Sequence, residues 1–198
     1  LSCSCKSPKP TDEKRNPIPG TEQYVECDTL LLSVGLLPEN ELSRALGVEM
    51  DPVTGGPRVD ENRQTSIPGV YACGNVLHVH DIVDFVSKES TIAGKSAAAY
   101  NLQSKSGAEQ VTLKAAGAVR YTVPQMDSLE EPFSIFCRVA YPVSSGKFLV
   151  KAGDQVILEK KFIKAVPSEM EEIPVRKAEL EKILSTGAGE LTLETCLD

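Results

Sequence analysis

Up to about residue 107 the apolar positions come in runs, and beyond it they alternate. The stretch Tyr24-Val25-Glu26-Cys27-Asp28-Thr29-Leu30-Leu31-Leu32-Ser33-Val34-Gly35 has a near-continuous apolar part closed by glycine. That pattern predicts a strand buried on both faces, as in a parallel sheet. A short helix is predicted next: Pro38 suits its first turn, Leu42, Ala45 and Leu46 share a face, and Gly47 stops it. Asp51 to Pro57 is turn chemistry. A second short strand is predicted over Gly69-Val70-Tyr71-Ala72-Cys73, ending at Gly74. A helix is then predicted from about Val86 to Leu102, where Ala93, Gly94, Ser96, Ala97 and Ala98 allow close packing on a sheet.

From about Ala108 the period becomes two. Alternation marks Val119–Val123, Phe133–Val139, Phe148–Val150 and Gln155–Leu158, with turn signals at Ser144-Ser145-Gly146 and Ala152-Gly153-Asp154. Short strands with regular turns predict a β-sandwich. A helix is expected from Arg176 to Leu184, ended by Gly187, and a last strand from Glu190 to Cys196. Met170 is expected to plug the core, with the acidic residues around it on a solvated edge. Pro8, Pro10, Pro17 and Pro19 make the first segment a loop or hairpin-like connection. The expected organisation is therefore a connecting segment over 1–27, an α/β part over 28–107 and a sandwich-like β domain over 108–198.

Composition narrows the function classes. A formal net charge of -7 over 198 residues argues against a nucleic-acid backbone as partner. Lys160, Lys161 and Lys164 form the nearest basic cluster, and a solvated strand face explains them. No apolar run approaches the ~20 residues of a membrane-spanning helix. The opening Leu1-Ser2-Cys3-Ser4-Cys5-Lys6 lacks the pattern of a signal peptide and does not begin with Met, so a piece of a longer chain is expected. Cysteines at 3, 5, 27, 73, 137 and 196 are scattered, which fits reduced thiols in a cytoplasmic protein. Cys3-x-Cys5 is not a dithiol redox motif.

The chemistry concentrates between Thr65 and Gly94. Pro68-Gly69 turns into a short strand, Gly74 permits close backbone approach, and Asn75 stands at the strand's carboxyl end, where α/β sheets bind ligands. The following helix offers its first amides to an electronegative group. An ordinary strand-to-helix turn capped by Asn75 accounts for the same residues.

Thr65-Ser66-Ile67-Pro68-Gly69-Val70-Tyr71-Ala72-Cys73-Gly74-Asn75 resembles the second flavin-contact motif of the two-dinucleotide-binding-domain flavoproteins, T-x-x-P-G-[VI]-[YF]-A-x-G-D. That group includes thioredoxin reductases, glutathione reductases and NADH oxidases. The departure is Asn75, where the family usually has an acid that hydrogen-bonds a ribitol hydroxyl of FAD. Asn keeps hydrogen-bonding capacity without the charge. About thirty residues earlier, Asp28-Thr29-Leu30-Leu31-Leu32-Ser33-Val34-Gly35-Leu36-Leu37-Pro38-Glu39-Asn40 resembles the family's A-x-G-x-x-P-N motif, where the chain re-enters the flavin domain. The resemblance implies cofactor contact at Gly35, Gly74 and Asn75, and at a helix start near Val86, Ser87 and Lys88. It implies an α/β fragment, the C-terminal part of a Rossmann-like FAD-binding domain, ahead of the all-β sandwich-like domain. It also implies NAD(P) as co-substrate and an oligomer. The wording Cys73 to Asp81 resembles a subgroup that accompanies glycerol-3-phosphate and amino-acid or opine dehydrogenase subunits.

The loop from Val76 to Phe85 holds His78, His80, Asp81 and Asp84. Two histidines without further ligands at a known spacing lead to an expectation of no metal. Proton handling or substrate contact beside the flavin, and a hydrogen-bonded loop lining, both remain open. Cys73 is expected to pack. No G-x-G-x-x-G and no C-x-x-C occurs, so only the back half of a flavin site is expected, binding FAD weakly or not at all by itself. Two functions compete: an FAD-dependent NAD(P)H oxidoreductase component, and a non-catalytic assembly module of a multi-subunit dehydrogenase.

Overall fold

The computed structural model describes residues 3–6, 11–12, 16–31, 35–100 and 110–197. The chain divides into two compact units, Leu1–Gly35 and Leu36–Asp198. In the first, β1 (Cys3–Lys6) pairs antiparallel with β2 (Tyr24–Cys27), from Cys3 opposite Cys27 to Lys6 opposite Tyr24. Thr11 bridges Pro17, and Asn16 donates its backbone N–H to the Asp12 carboxylate at 2.7 Å, closing a turn. The expected doubly buried strand does not form. The strand ends at Cys27, and Leu30 and Leu31 are 57% and 90% exposed. Among the described residues no second neighbouring strand covers them, and such a run needs partners on both edges to stay ordered. Pro8, Pro10 and the segment Leu32 to Val34 lie outside the described residues, as does the expected boundary near residue 107.

Up to Tyr100 the second unit holds helices, turns and isolated β-bridges in place of the expected Rossmann-like sheet, and from Val111 it is β-rich. Helix α1 (Glu41–Leu46) ends at Gly47 in the left-handed conformation, where glycine carries no Cβ penalty. Its expected apolar face is bare: Leu42 is 87% exposed and Leu46 55%. Asn40, just before the helix, is buried and donates its amide to the carbonyls of Gly55 (3.1 Å) and Val76 (2.8 Å), tying two loops together. Gly56 fits the same junction, since a Cβ there would sit 1.8 Å from the Leu77 carbonyl oxygen. The expected strand over Gly69–Cys73 is reduced to one isolated bridge, Gln64 to Tyr71.

Helix α2 (Val83–Ala99) begins one turn earlier than expected. Asp84 in its first turn suits the positive helix end, which the expected start at Val86 left in the loop. Its small-residue face is not a packing face: Gly94, Ala97 and Ala98 are exposed. The fully buried positions are Glu89 and Ala93, flanked by half-buried Phe85, Ile92 and Ser96. No helix among the described residues is long and apolar enough to cross a membrane.

The β-rich region holds β3 (Val111–Ala115), β4 (Val119–Val123), β5 (Met126–Asp127), β6 (Phe133–Val139), β7 (Val143–Ala152), β8 (Gln155–Ala165), β9 (Glu171–Val175), α3 (Lys177–Thr186) and β10 (Glu190–Leu197). One sheet has the order β5-β3-β10-β7-β8, the other β4-β6-β9. Only β3 and β10 run parallel; the remaining pairs of these two sheets are antiparallel. Both sheets and α3 feed one apolar cluster that includes Leu113, Ile135, Phe148, Ile173, Ile183 and Leu191. Alternation located β4 and β6 at their observed bounds. The expected turn at Ser144–Gly146 lies inside β7 instead, where Gly146 packs against the Cys196 carbonyl, 2.6 Å from where a Cβ would stand. The acidic edge is β9, an outer strand that tolerates the missing donor of Pro174, and Met170 is buried as expected.

A second cluster joins the two halves of this unit: Val59, Ala72, Leu77, Tyr121, Val123, Phe136 and Met170. Gln125 reinforces it, accepting from Val59 N–H through its side chain (2.9 Å) and donating its backbone N–H to the Val59 carbonyl (3.1 Å). Nearby Asp127 is fully buried. Its Oδ1 accepts the Leu129 N–H at 2.7 Å, but Oδ2 has no partner. Burial pushes its carboxyl up to about 8, helped by the charges of Glu61 and Asp60. The same cause brings Asp60 to about 6.

Two outcomes follow. Gly56→Ala, which must displace the Leu77 backbone, should lower unfolding free energy by more than about 2 kcal/mol in urea titration. Asp127 binds its proton in the folded state over a range where the unfolded chain has released it. Its contribution is complete below pH 3.8 and is lost as pH rises through about 8. Asp127→Asn should therefore flatten the decline of stability between pH 3.8 and about 8, leaving the smaller contribution of Asp60, which is lost through about pH 6.

Candidate functional site

Glu89 occupies the centre of the buried stripe of α2, where an apolar residue would ordinarily stand, and is 0% exposed. A carboxylate there is tolerable only if hydrogen bonds and opposite charge offset its burial. Four groups converge on it, Gly74 and His78 by hydrogen bonds and Arg63 and His80 by proximity. Gly74 N–H donates to Oε2 at 3.1 Å, and His78 Nε2 lies 3.0 Å from Oε1. Arg63 Nε lies 3.3 Å from Oε1, and His80 Nε2 3.3 Å from Oε2. Burial pushes the Glu89 carboxyl upward, but His78, His80 and the Arg63 charge outweigh it and hold the group below the usual carboxylate range.

Local backbone chemistry delivers each donor. Asp60 Oδ1 accepts the N–H groups of Asn62 (2.9 Å) and Gln64 (2.8 Å), making a tight turn that sets Arg63 at φ 65°. An arginine in the left-handed region is strained, and the turn together with the Glu89 pair holds it there. Gly74 takes φ 72° and opens a single 3-10 turn, Gly74–Val76, whose carbonyl receives the N–H of Leu77 (2.9 Å) and His78 (3.3 Å). Asn75 Oδ1 accepts the His80 N–H at 3.0 Å and lies 3.4 Å from His80 Nδ1. These bonds fold the two-histidine loop inward, with the rings 4.5 Å apart.

The β-rich region walls the cluster. Tyr121 on β4 places its hydroxyl 3.3 Å from His78 Nδ1. With Nε2–H directed at Glu89, a neutral imidazole leaves Nδ1 to accept from the Tyr121 hydroxyl. Burial lowers the His78 pKa in the same sense and raises that of Tyr121 to about 12. Arg138 on β6 donates to the carbonyls of Val79 (2.9 Å) and Pro167 (3.0 Å) and pairs with Asp81 at 3.1 Å. Phe136 lies edge-on to both Phe85 and His78, and Lys88 pairs with Glu172.

Of the residues singled out in sequence, Gly74, Asn75, Val86 and Ser87 belong to this unit. Gly74 is buried at the cluster, and Asn75 stands exposed at its rim. Val86 faces Gly74, where an added Cβ would meet its Cγ1 at 3.5 Å. Ser87 is exposed in the second turn of α2, so the unbonded amides of that helix belong to 82–85 rather than to Val86, Ser87 and Lys88. Gly35, at φ 100°, closes the other unit. Arg63, Glu89 and Tyr121 went unread. Glu89 had a signal: once the helix start is placed at Val83, it is the charged residue within the stripe of Phe85, Ile92 and Ala93.

His78, His80 and Glu89 place one ligand-type atom each within 4.8 Å of one another. Asp81 and Asp84, the carboxylates weighed with those histidines, do not join them. Asp81 serves Arg138, and Asp84 is exposed in the first helical turn. The Arg63 guanidinium on the same carboxylate repels a divalent ion.

Because Glu89 is depressed and His78 is lowered from 6.5, the unfolded chain takes up both protons first. Stability from this cluster is thus present at neutral pH and lost as pH falls below the ordinary imidazole range. Glu89→Ala should cost about 3–5 kcal/mol in urea unfolding by stranding Arg63, and the double variant Arg63→Met/Glu89→Ala should recover part of that loss.

The sequence profile of the pyridine nucleotide-disulphide oxidoreductase family matches residues 5–105, just over half the chain. A stretch of 59 residues is 41% identical to mitochondrial dihydrolipoyl dehydrogenase of Caenorhabditis elegans, covering 29% of this chain and 12% of that protein. The chain therefore spans a small part of that relative's length. No solved structure matches it. The matched residues contain the Gly74 turn, both histidines and Glu89, and the chain belongs to the pyridine nucleotide-disulphide oxidoreductase family.

Proposed function

We propose that residues 28–107 supply the rear half of an FAD site in an NAD(P)H oxidoreductase. The front half, with its Gly-rich phosphate turns, would be contributed by sequence outside these residues. The observation that carries this reading is the Gly74–Asn75 turn. A left-handed glycine, pinned by Glu89, sets an exposed short polar side chain ahead of a helix with no side-chain cap. The residues fit the cofactor in part: Asn75 offers polar contact to ribitol, and the open amides of 82–85 suit an electronegative ring edge. FAD when bound would accept hydride from the nicotinamide and pass electrons on. The chain's own residues would orient it and keep water from its inner face.

Residues 108–198, read as a sandwich-like domain, would brace this half-site through Tyr121, Arg138 and Gln125. A second reading, docking onto a dehydrogenase partner subunit, draws on β8. That eleven-residue edge strand leaves Ile163 90% exposed and Val156 41%. The scattered thiols suit a cytoplasmic setting.

The longest natural chain containing this sequence should purify with stoichiometric flavin and reduce a dye with NADH or NADPH. Absence of flavin would sink the proposal, and activity only with a partner subunit would favour the second reading. The 198 residues alone should retain little or no FAD, and full occupancy would contradict the half-site view.

A further inference from the structure

β8 pairs with β7 along one edge, and no strand among the described residues pairs with the other. Such an edge offers a row of backbone donors and acceptors to a further strand. The side chains of β8 divide between two faces. Leu158 and Phe162 enter the core, and Lys160 on the same face reaches Glu171 of β9 at 2.8 Å. Glu159, Lys161 and Ile163 point the other way and are exposed. Val156 joins them, because Leu158 faces Val150 and Val156 faces Lys151, which leaves Ile157 as the extra residue of a bulge. The outer face of the edge therefore reads valine, glutamate, lysine, isoleucine. Apolar, acidic, basic, apolar is an order that is its own complement when reversed.

We infer that β8 pairs antiparallel with β8 of a second copy about a twofold axis at Lys160, joining two five-stranded sheets into one continuous sheet. Residues directly opposite in an antiparallel pair share a face, so the axis must pass through a residue of β8. Through Glu159 it would oppose two carboxylates, and through Lys161 two ammonium groups. Through Lys160 it opposes Glu159 to Lys161 in both directions and, past the bulge, Ile163 to Val156. Side chains left 90% and 41% exposed then cover one another. The two Lys160 groups meet on the inner face, each already tied to its own Glu171. Glu159 holds Lys147 at 2.7 Å within its own copy, and a carboxylate has lone pairs for a second cation. Lysine on an edge ordinarily blocks pairing. Lys161, which has no ion-pair partner among the described residues, instead fixes the register. The inference does not depend on the flavin reading, and it gives β8 an occupant other than a dehydrogenase subunit.

The test is sedimentation equilibrium of the longest natural chain containing this sequence, which should show a concentration-dependent dimer. Glu159→Lys and Lys161→Glu should each raise the dissociation constant more than about tenfold, since each turns two attractive cross-strand pairs into two repulsive ones. The double swap Glu159→Lys/Lys161→Glu should return it to within about threefold of the natural value. Lys147, opposite position 161, keeps an acid beside it in that swap. Ile163→Asp, at a position the fold leaves bare, should weaken the dimer independently, with far-UV circular dichroism unaltered in every variant. A monomer at all concentrations, a dimer indifferent to these substitutions, or a double swap that fails to restore association overturns the inference. A chain that is monomeric alone and has β8 covered only by a different subunit overturns it in favour of the second reading above.

Discussion

The interaction on which the second unit turns is the burial of one carboxylate, Glu89. Leaving water costs an anion far more than any single contact returns, so its surroundings must converge on it. Each converging group comes from a different piece of chain: Arg63 from the turn before the motif, Gly74 from within it, His78 and His80 from the loop after. None of these segments forms regular sheet, and their backbone is poor in ladder bonds. The carboxylate substitutes for that missing framework. Its helix is thereby fixed against the turn more firmly than the sparse apolar contacts of α2 could achieve.

The histidines divide the labour unequally. His78 is fully inside, neutral, and spans from Glu89 to Tyr121, coupling helix to sheet. His80 spans from Glu89 to Asn75, coupling helix to rim. One loop thus carries a purely internal strut and a strut that ends at an exposed side chain. Arg63 supplies the compensating charge, and the left-handed backbone it accepts shows that this charge is placed at a conformational cost.

How much was legible in sequence depended on whether a residue's neighbours were near in the chain. Alternation set the bounds of β4 and β6, and Gly47 and Gly187 stopped their helices, because those signals are local. The Gly74–Asn75 turn was legible for the same reason. Leu30 and Leu31 read as buried because the pattern records what a segment is suited to, not whether partners flank it. Glu89 was missed because a charged residue in a helix ordinarily means solvent, and its partners lie 9 to 26 residues away. Gly146 read as a turn because its reason, the close approach of β10, is some fifty residues distant. The Asp127 environment was invisible for a similar reason, since Glu61 and Asp60 meet it only through folding.

The parallel pairing of β3 with β10 joins the first strand of the β-rich region to the last. A ribosome must therefore have released residues through Leu193 before Val111–Ala115 gains that neighbour. Until then the inner edge of the five-stranded sheet is open, and β7 lacks the strand that separates it from β3. Tyr121 and Arg138 emerge well before that closure but belong to the sheet that packs against it. The wall of the histidine cluster thus packs against a sheet that closes only after β10 has emerged, and the segment it covers waits, partly uncovered, until then.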